Sequence, residues 1–321
     1  MKLQDLGEAA LIARIERAAR GGQGPGVALG IGDDAAVLRL RAGEECVVSS
    51  DVRVEDVHFR WRTDSPRGVG RTALAAALSD LAAMGARPLG FTWSLAAPAS
   101  LALARFDGLL RGLLFEARRH ACPLVGGNLS RARETSLSLT VLGAARRGQA
   151  LRREARAGDR VFVTGRLGGS ALARARAERR GRAGGGARLP VPEPRLRAGL
   201  ALARIAAVRG CVDVSDGLEV DLGHLLGPGL HCPLDPARLP TPRGFAAACR
   251  REGLDPLETA LRGGEDYELL FAVAPRGPGA AALSRRLAVA VTELGRVRRG
   301  APAPAPARGG WQHFGGAGPR R

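Results

Sequence analysis

Apolar and polar positions along the chain follow two rhythms that alternate with each other. Residues 46–50 (CVVSS), 136–142 (SLSLTVL), 160–164 (RVFVT) and 268–273 (ELLFAV) are β-branched or alternate apolar with polar, the pattern of strands. Residues 71–84 (RTALAAALSDLAAM) are rich in Ala and Leu and run into Gly85, where a helix stop is expected. Residues 101–120, 199–208 and 217–226 read as further helices, and residues 1–20 as a polar amphipathic one. Strands and helices mixed in this way predict an α+β protein.

Two breaks interrupt the pattern. Residues 144–159 (AARRGQALRREARAGD) form a polar, Arg-rich bridge, and residues 177–194 (AERRGRAGGGARLPVPEP) read as a loop. A boundary near residue 150 gives two domains, 1–150 and 151–321, with the second break an excursion within the C-terminal half. From Gly300 the chain becomes an extended Ala-Pro spacer leading to Trp311-Gln312-His313-Phe314, an aromatic tail expected to dock back on the body.

Length and composition agree with this division. A chain of 321 residues has room for about two domains, and 45% hydrophobic with 25% charged residues excludes wholesale disorder. No run approaches the ~20 apolar residues of a membrane span, and the N-terminus lacks the apolar stretch of a signal peptide, so the cytoplasm is the expected location. Cys46, Cys122, Cys211, Cys232 and Cys249 are scattered without a C-x-x-C pair and read as packing residues.

The formal net charge of +18 changes the picture less than its size suggests. Lys2 is the only lysine among 49 basic residues, so the other 48 are arginine, spread along the whole chain. With 4% aromatic residues, stacking platforms for bases are scarce, and a nucleic-acid groove is not expected. The missing lysines also exclude a G-x-x-x-x-G-K-[ST] phosphate loop and a Schiff-base lysine beyond position 2.

The acidic residues carry the chemistry. Several sit beside glycine or serine at the edges of apolar runs: Asp33-Asp34 after Gly32, Asp51 after Ser49-Ser50, Asp213 and Asp216 around Ser215, and Glu265-Asp266 after Gly263-Gly264. Asp80 lies within an otherwise apolar helix, where an unpaired carboxylate is costly and calls for an arginine or a metal ion. Any one of these alone reads as a cap or a loop. Together, hard oxygen donors on several separate turns are what Mg²⁺ ions on nucleotide phosphates require.

Six blocks in order, GIGDDAAVL (30–38), SSDVRVEDVHF (49–59), ALAAALSDLAAMGARPLG (73–90), VGGNLSR (125–131), VDVSDGLEVDLGHL (212–225) and GGEDYELLFAV (263–273), resemble the thiamine-monophosphate kinase family. That family shares a superfamily with aminoimidazole-ribonucleotide synthetase, selenophosphate synthetase and the hydrogenase-maturation dehydratase. The resemblance implies ATP-dependent phosphorylation of thiamine monophosphate to thiamine diphosphate by direct in-line transfer. It also implies a two-domain α+β fold, with an N-terminal ATP- and Mg²⁺-binding domain that forms a homodimer through its sheet and a C-terminal α/β domain. By position it implies Mg²⁺ ligands at Asp34, Ser49, Ser50, Asp51, Asp80, Asn128, Asp213 and Asp216. ATP contacts fall at Gly127, Asn128, Arg152 and Ser215, and thiamine-phosphate contacts at His58, Glu265 and Trp311. Where the family carries aspartate at the end of the V-G-G-D block, this chain has Asn128, which removes one negative charge.

The acceptor in such a reaction is an already ionised phosphate oxygen, so no general base is assigned, and five histidines without a Ser-His-Asp or Cys-His pattern fit that. Other readings remain: another ATP-dependent enzyme of the superfamily, a degenerate member that binds nucleotide without turnover, or a basic nucleic-acid binder. The segment GGQGPG (21–26) lacks the cysteine of the selenophosphate branch, and the chain ends in Arg321 rather than the cysteine of the hydrogenase-maturation branch.

Overall fold

A computed structural model describes residues 1–19, 24, 26–32, 34–182 and 189–300. By contact these form two units: residues 1–81, 86–150, 177–182 and 189–196 in the first, and 82–85, 151–176 and 197–300 in the second. Among the described residues no helix is long and apolar enough to cross a membrane.

The first unit runs α1 (Glu8–Ala19), β1 (Val27–Leu29), β2 (Val37–Leu38), β3 (Glu44–Val54), α2 (Pro66–Ala83), β4 (Arg87–Ala97), α3 (Leu103–Arg119), β5 (Leu124–Arg131) and β6 (Ser136–Arg146). Its main sheet has the order β3-β6-β4-β5, antiparallel except for the β4–β5 pair. Strand alternation sorts the side chains. Phe91, Trp93 and Leu95 of β4 and Leu137, Leu139 and Val141 of β6 are buried on one face, where Trp93 meets Phe106 of α3 at 5.8 Å between ring centroids. Helices α2 and α3 touch backbone to backbone: a Cβ added at Gly70 would lie 2.2 Å from the Leu109 carbonyl oxygen, and one at Gly112 would lie 2.2 Å from that of Arg67. On the opposite face, Val48 and Val52 of β3 are 59% and 43% exposed.

Ion pairs tie Glu178 and Glu193 to this unit. Arg60 Nη1 lies 2.6 Å from Glu178 Oε1, and Arg119 pairs with Glu193. Arg119 also reaches the fully buried Glu116 carboxylate, whose other partner Arg71 Nε lies at 2.6 Å. Burial pushes the Glu116 carboxyl up, but His120, whose Nε2 lies 3.2 Å away, together with the two guanidiniums brings it below the ordinary range.

The second unit runs β7 (Arg160–Thr164), α4 (Gly169–Arg182), α5 (Leu196–Leu202), β8 (Val208–Asp213), α6 (Leu218–Leu226), β9 (Leu230–His231), α7 (Phe245–Arg251), α8 (Pro256–Arg262), β10 (Leu269–Val273), α9 (Ala280–Leu287), β11 (Val291–Arg296) and β12 (Arg298–Arg299). The last residues of α4 and the first of α5 group with the first unit. The sheet order is β11-β7-β10-β8, antiparallel throughout. Val161, Val163, Val212, Leu270 and Ala272 share one core with Leu218, Leu222 and Leu225 of α6. Each such buried leucine contributes about 2 kcal/mol. Across the sheet, Phe162 and Phe271 stack at 5.7 Å.

Most predicted elements form, with shifted ends. The strand at 160–164 and the helix at 217–226 appear as β7 and α6, whereas the strands begun at 46–50 and 136–142 extend to eleven residues each. Helix α2 starts at Pro66, earlier than its Ala/Leu run, because the Ser65 hydroxyl accepts the Gly68 N–H at 3.1 Å and proline suits the first helical position. The helix expected over 199–208 ends at Leu202, and Val208 already belongs to β8. Gly126, Gly127 and Asn128 lie inside β5.

Candidate active site

In the first unit, strand parity decides which candidate residues can act together. On β3, Ser49 pairs across with Val141, Asp51 with Leu139 and Arg53 with Leu137, so all three face the helices. The Ser49 hydroxyl donates to Asp80 Oδ2 of α2 at 2.5 Å, and Asp80 is half-buried rather than sealed in the core. Ser50 falls on the opposite face, where its hydroxyl donates to the Leu139 carbonyl at 3.3 Å and lies 3.3 Å from Thr140 Oγ1. Asp51 does not end its strand, which continues to Val54.

Asn128 shares the face of Ser50 and pairs with Ser94, but β5 and β3 are the two outer strands of the sheet. Three inter-strand spacings, about 14 Å, therefore separate Asn128 from β3 within the chain. Its amide nitrogen donates to Ser130 Oγ at 2.9 Å. Gly127 is required by close approach, since a Cβ there would lie 2.0 Å from the Trp93 carbonyl oxygen. Asp34 is exposed in the loop between β1 and β2.

Beyond β3, the chain turns through Glu55 and Asp56, the latter at φ 63°, to His58. The His58 Nδ1 accepts the Val54 N–H at 3.0 Å, and the His58 N–H donates to the Val54 carbonyl at 2.8 Å. An imidazole whose Nδ1 accepts carries its neutral-state proton on Nε2, so the ring presents a donor there.

In the second unit two loops are laced together. The N–H groups of Glu265 and Tyr267 donate to the carbonyls of Ser215 and Val214, both at 2.8 Å, and the Val214 N–H donates to the Glu268 carbonyl at 2.8 Å. This places Asp213, Ser215, Asp216 and Glu265 on adjoining turns. Glu265 and Tyr267 hold φ values of 56° and 51°, left-handed conformations that cost a non-glycine residue about 1 kcal/mol or more and concentrate at functional loops. Arg152 joins through its backbone, its carbonyl accepting the Cys211 N–H at 2.8 Å. Its guanidinium is 75% exposed and lies 3.3 Å from Glu154.

Two carboxylates to which the sequence assigned no role, Asp221 and Asp266, organise these loops. Asp221 Oδ2 accepts the N–H groups of Ser215, Asp216 and Gly217 at 3.0, 3.0 and 3.2 Å. Burial, with the charge of Asp216 adding, pushes its pKa up to about 6. Asp266 accepts the Gly168 N–H at 2.6 Å and the Ser170 N–H at 3.2 Å at the start of α4, and burial raises it to about 6 as well. The spacing D-x-S-D-G-x-x-x-D carries the first signal, because an acceptor four residues after Gly217 can turn back onto the preceding N–H groups. Trp311 lies outside the described residues, as do His313 and Phe314.

Among the described residues, no three His, Cys, Asp or Glu side chains gather in a group able to hold a metal ion. The donors at Ser49, Asp51 and Asp80 are all oxygen, the chemistry Mg²⁺ takes. It binds through one or two carboxylates plus substrate phosphates rather than in an all-protein cage.

The sequence model described as "AIR synthase related protein, N-terminal domain" matches residues 32–145. The thiamine-monophosphate kinase of Mycobacterium tuberculosis is 39% identical over 279 residues, covering 84% of this chain and 81% of the relative. That of Escherichia coli K12 is 36% identical over 285 residues, 85% of each. Among solved structures, the thiamine-monophosphate kinase of Stenotrophomonas maltophilia superposes with a TM-score of 0.77 at 36% identity, over 92% of this chain and 95% of the other. A structure of AaThiL complexed with AMPPCP and TMP gives 0.72 at 28% identity, over 98% and 99%. The hydrogenase maturation protein HypE shares the fold at 20% identity, with a TM-score of 0.74. The chain belongs to the thiamine-monophosphate kinase family.

Proposed function

We propose that the chain transfers the γ-phosphoryl group of ATP to thiamine monophosphate, forming thiamine diphosphate. The observation that carries this is the oxygen-lined face of β3, where Ser49 is bonded to Asp80 with Asp51 one pleat away, in a chain of this family. Two phosphates must approach each other in the reaction. Unit charges 4 Å apart repel by about 4 kcal/mol at an effective dielectric of about 20, and several charges are involved. Mg²⁺, when bound, supplies the positive charge that offsets this repulsion.

Ser49, Asp51 and Asp80, on one face of the first unit, are the residues that would hold it there; by resemblance to the family, Asp34, Asp213 and Asp216 are further candidate donors, as are Ser50 and Asn128 on the opposite face of the sheet. Gly127, Arg152 and Ser215 contact ATP in this reading. His58 offers Nε2–H to the acceptor, and Glu265 and Trp311 bind the thiamine phosphate. No side chain needs to remove a proton, because the attacking oxygen is already ionised.

The working unit is a homodimer formed through the open face of the first unit's sheet. Val48 and Val52 lie exposed there between small polar residues, and α2 and α3 cover the other face. Five cysteines free of disulfides suit the reducing interior of the cell.

The test is a coupled assay of ADP release with ATP and Mg²⁺. Thiamine monophosphate should drive turnover, and thiamine should not. Release with neither acceptor, or equal release with both, would reject the assignment.

A further inference from the structure

Asp221, in the first turn of α6, is 3% exposed, and one oxygen of its carboxylate serves three successive backbone donors. Oδ2 accepts the N–H groups of Ser215, Asp216 and Gly217, while Oδ1 lies 3.5 Å from His224 Nδ1, three residues further along the helix. The turn is closed on other sides as well. A Cβ added at Gly217 would lie 2.9 Å from Arg262 Cα, and one at Gly264 would lie 2.8 Å from the Ser215 carbonyl oxygen. With the Val214 N–H bonded to the Glu268 carbonyl, every backbone N–H from Val214 to Gly217 is bonded inside the protein.

Consecutive N–H groups converging on one point form a concavity that suits an anion, the arrangement by which backbone loops hold phosphate. Here the anion is built in. A nucleotide phosphate cannot use these N–H groups while Asp221 fills the concavity. What remains for a ligand at this turn are the side chains of Ser215 and Asp216, both half-buried. A carboxylate withdrawn from water is costly unless its lone pairs find donors, and three N–H groups meet that need. The same three bonds fix the backbone that carries both side chains.

We propose that Asp221 is a positioning residue for nucleotide binding, which touches no substrate and sets the places of Ser215 and Asp216 by filling the amide concavity. This deepens the kinase reading of the same site, in which Ser215 contacts ATP, and rests on it. The geometry calls for an acceptor oxygen at this point rather than for a charge, since Oδ2 alone serves the three donors. An asparagine can put its amide oxygen in that place and turn its NH2 toward His224 Nδ1. Alanine leaves the three donors without their acceptor.

The experiment uses the full chain and reads binding apart from turnover. Wild type, Asp221→Ala, Asp221→Ser and Asp221→Asn are titrated calorimetrically with AMPPCP, a non-transferable ATP analogue, in the presence of Mg²⁺. Urea unfolding without ligand and ADP release with thiamine monophosphate are measured alongside. Asp221→Ala is expected to weaken the analogue at least about tenfold, and Asp221→Asn to recover most of that loss. Asp221→Ser, whose hydroxyl reaches fewer of the N–H groups, should fall between them, and it carries the test if the alanine variant fails to fold. Unchanged affinity in a folded alanine or serine variant overturns the proposal, even with a lowered urea midpoint, because Asp221 would then brace the fold alone. So does an asparagine variant as weak as alanine, which would make the charge decisive. A wild type that binds the analogue but releases no ADP with thiamine monophosphate overturns the kinase reading alone, and one that does neither overturns both.

Discussion

The Ser49 hydroxyl of β3 donates to the Asp80 carboxylate of α2 at 2.5 Å, joining strand and helix on the face that Asp51 shares. Asp51→Ala and Asp80→Ala should each lower kcat by about 100-fold or more at saturating Mg²⁺. The melting temperature of Asp51→Ala should change little. Near-wild-type kcat in either variant would remove that residue from phosphoryl transfer.

Asn128 presents an amide where a carboxylate would add charge, and its exposed position on β5 tolerates the exchange without repacking. Asn128→Asp should lower the Mg²⁺ concentration for half-maximal activity several-fold. The Ser130 hydroxyl can reverse its bond and donate to the new carboxylate. An unchanged Mg²⁺ titration would take position 128 out of metal binding.

Asp266 sets a pH dependence of stability with a definite sign. Its folded pKa of about 6 stands above the ordinary 3.8, so the folded state binds the proton more tightly than the unfolded one. The stabilisation is complete below the unfolded pKa and is lost as pH rises through 6, amounting to roughly 3 kcal/mol. Asp266→Asn carries no such dependence. It should therefore gain on wild type by about 2 kcal/mol in urea unfolding between pH 4.5 and 7. A difference between the two proteins that stays constant with pH contradicts this.

Gly127→Ala places a methyl 2.0 Å from the Trp93 carbonyl oxygen, and the backbone of β4, an inner strand, cannot yield cheaply. A loss of about 3 kcal/mol or more is expected, read as a lower urea midpoint or an insoluble product. A melting temperature within a degree or two of wild type would show that β4 and β5 can part.

Val48 is 59% exposed on the uncovered face of the first sheet. Val48→Glu should convert the proposed homodimer to monomer in light scattering, with the first unit still folded. A dimer of undiminished stability would place the contact elsewhere.

The pattern of the chain was most readable where one local rule governed. Strand β7 is a β-branched run closed by Gly165, and its bounds follow directly. Strand β4 was not legible, because Pro88 and Gly90 mimic a break in what is an interior strand. The sheet accommodates them with a register shift at those two residues. The family resemblance grouped Ser49, Ser50, Asp51 and Asp80; Ser49 is bonded to Asp80 and shares its face of the strand with Asp51, whereas period-two geometry turns Ser50 to the other face. Asp221 and Asp266 were given no role because their partners are backbone N–H groups, which residue type does not reveal.

The ion pairs of Glu178 with Arg60 and of Glu193 with Arg119 bear on how this protein can be dismantled. A fragment cut at residue 150 would inherit two arginines whose counter-ions were left on the other piece. Exchange of contiguous segments at that point would likewise part each arginine from its carboxylate.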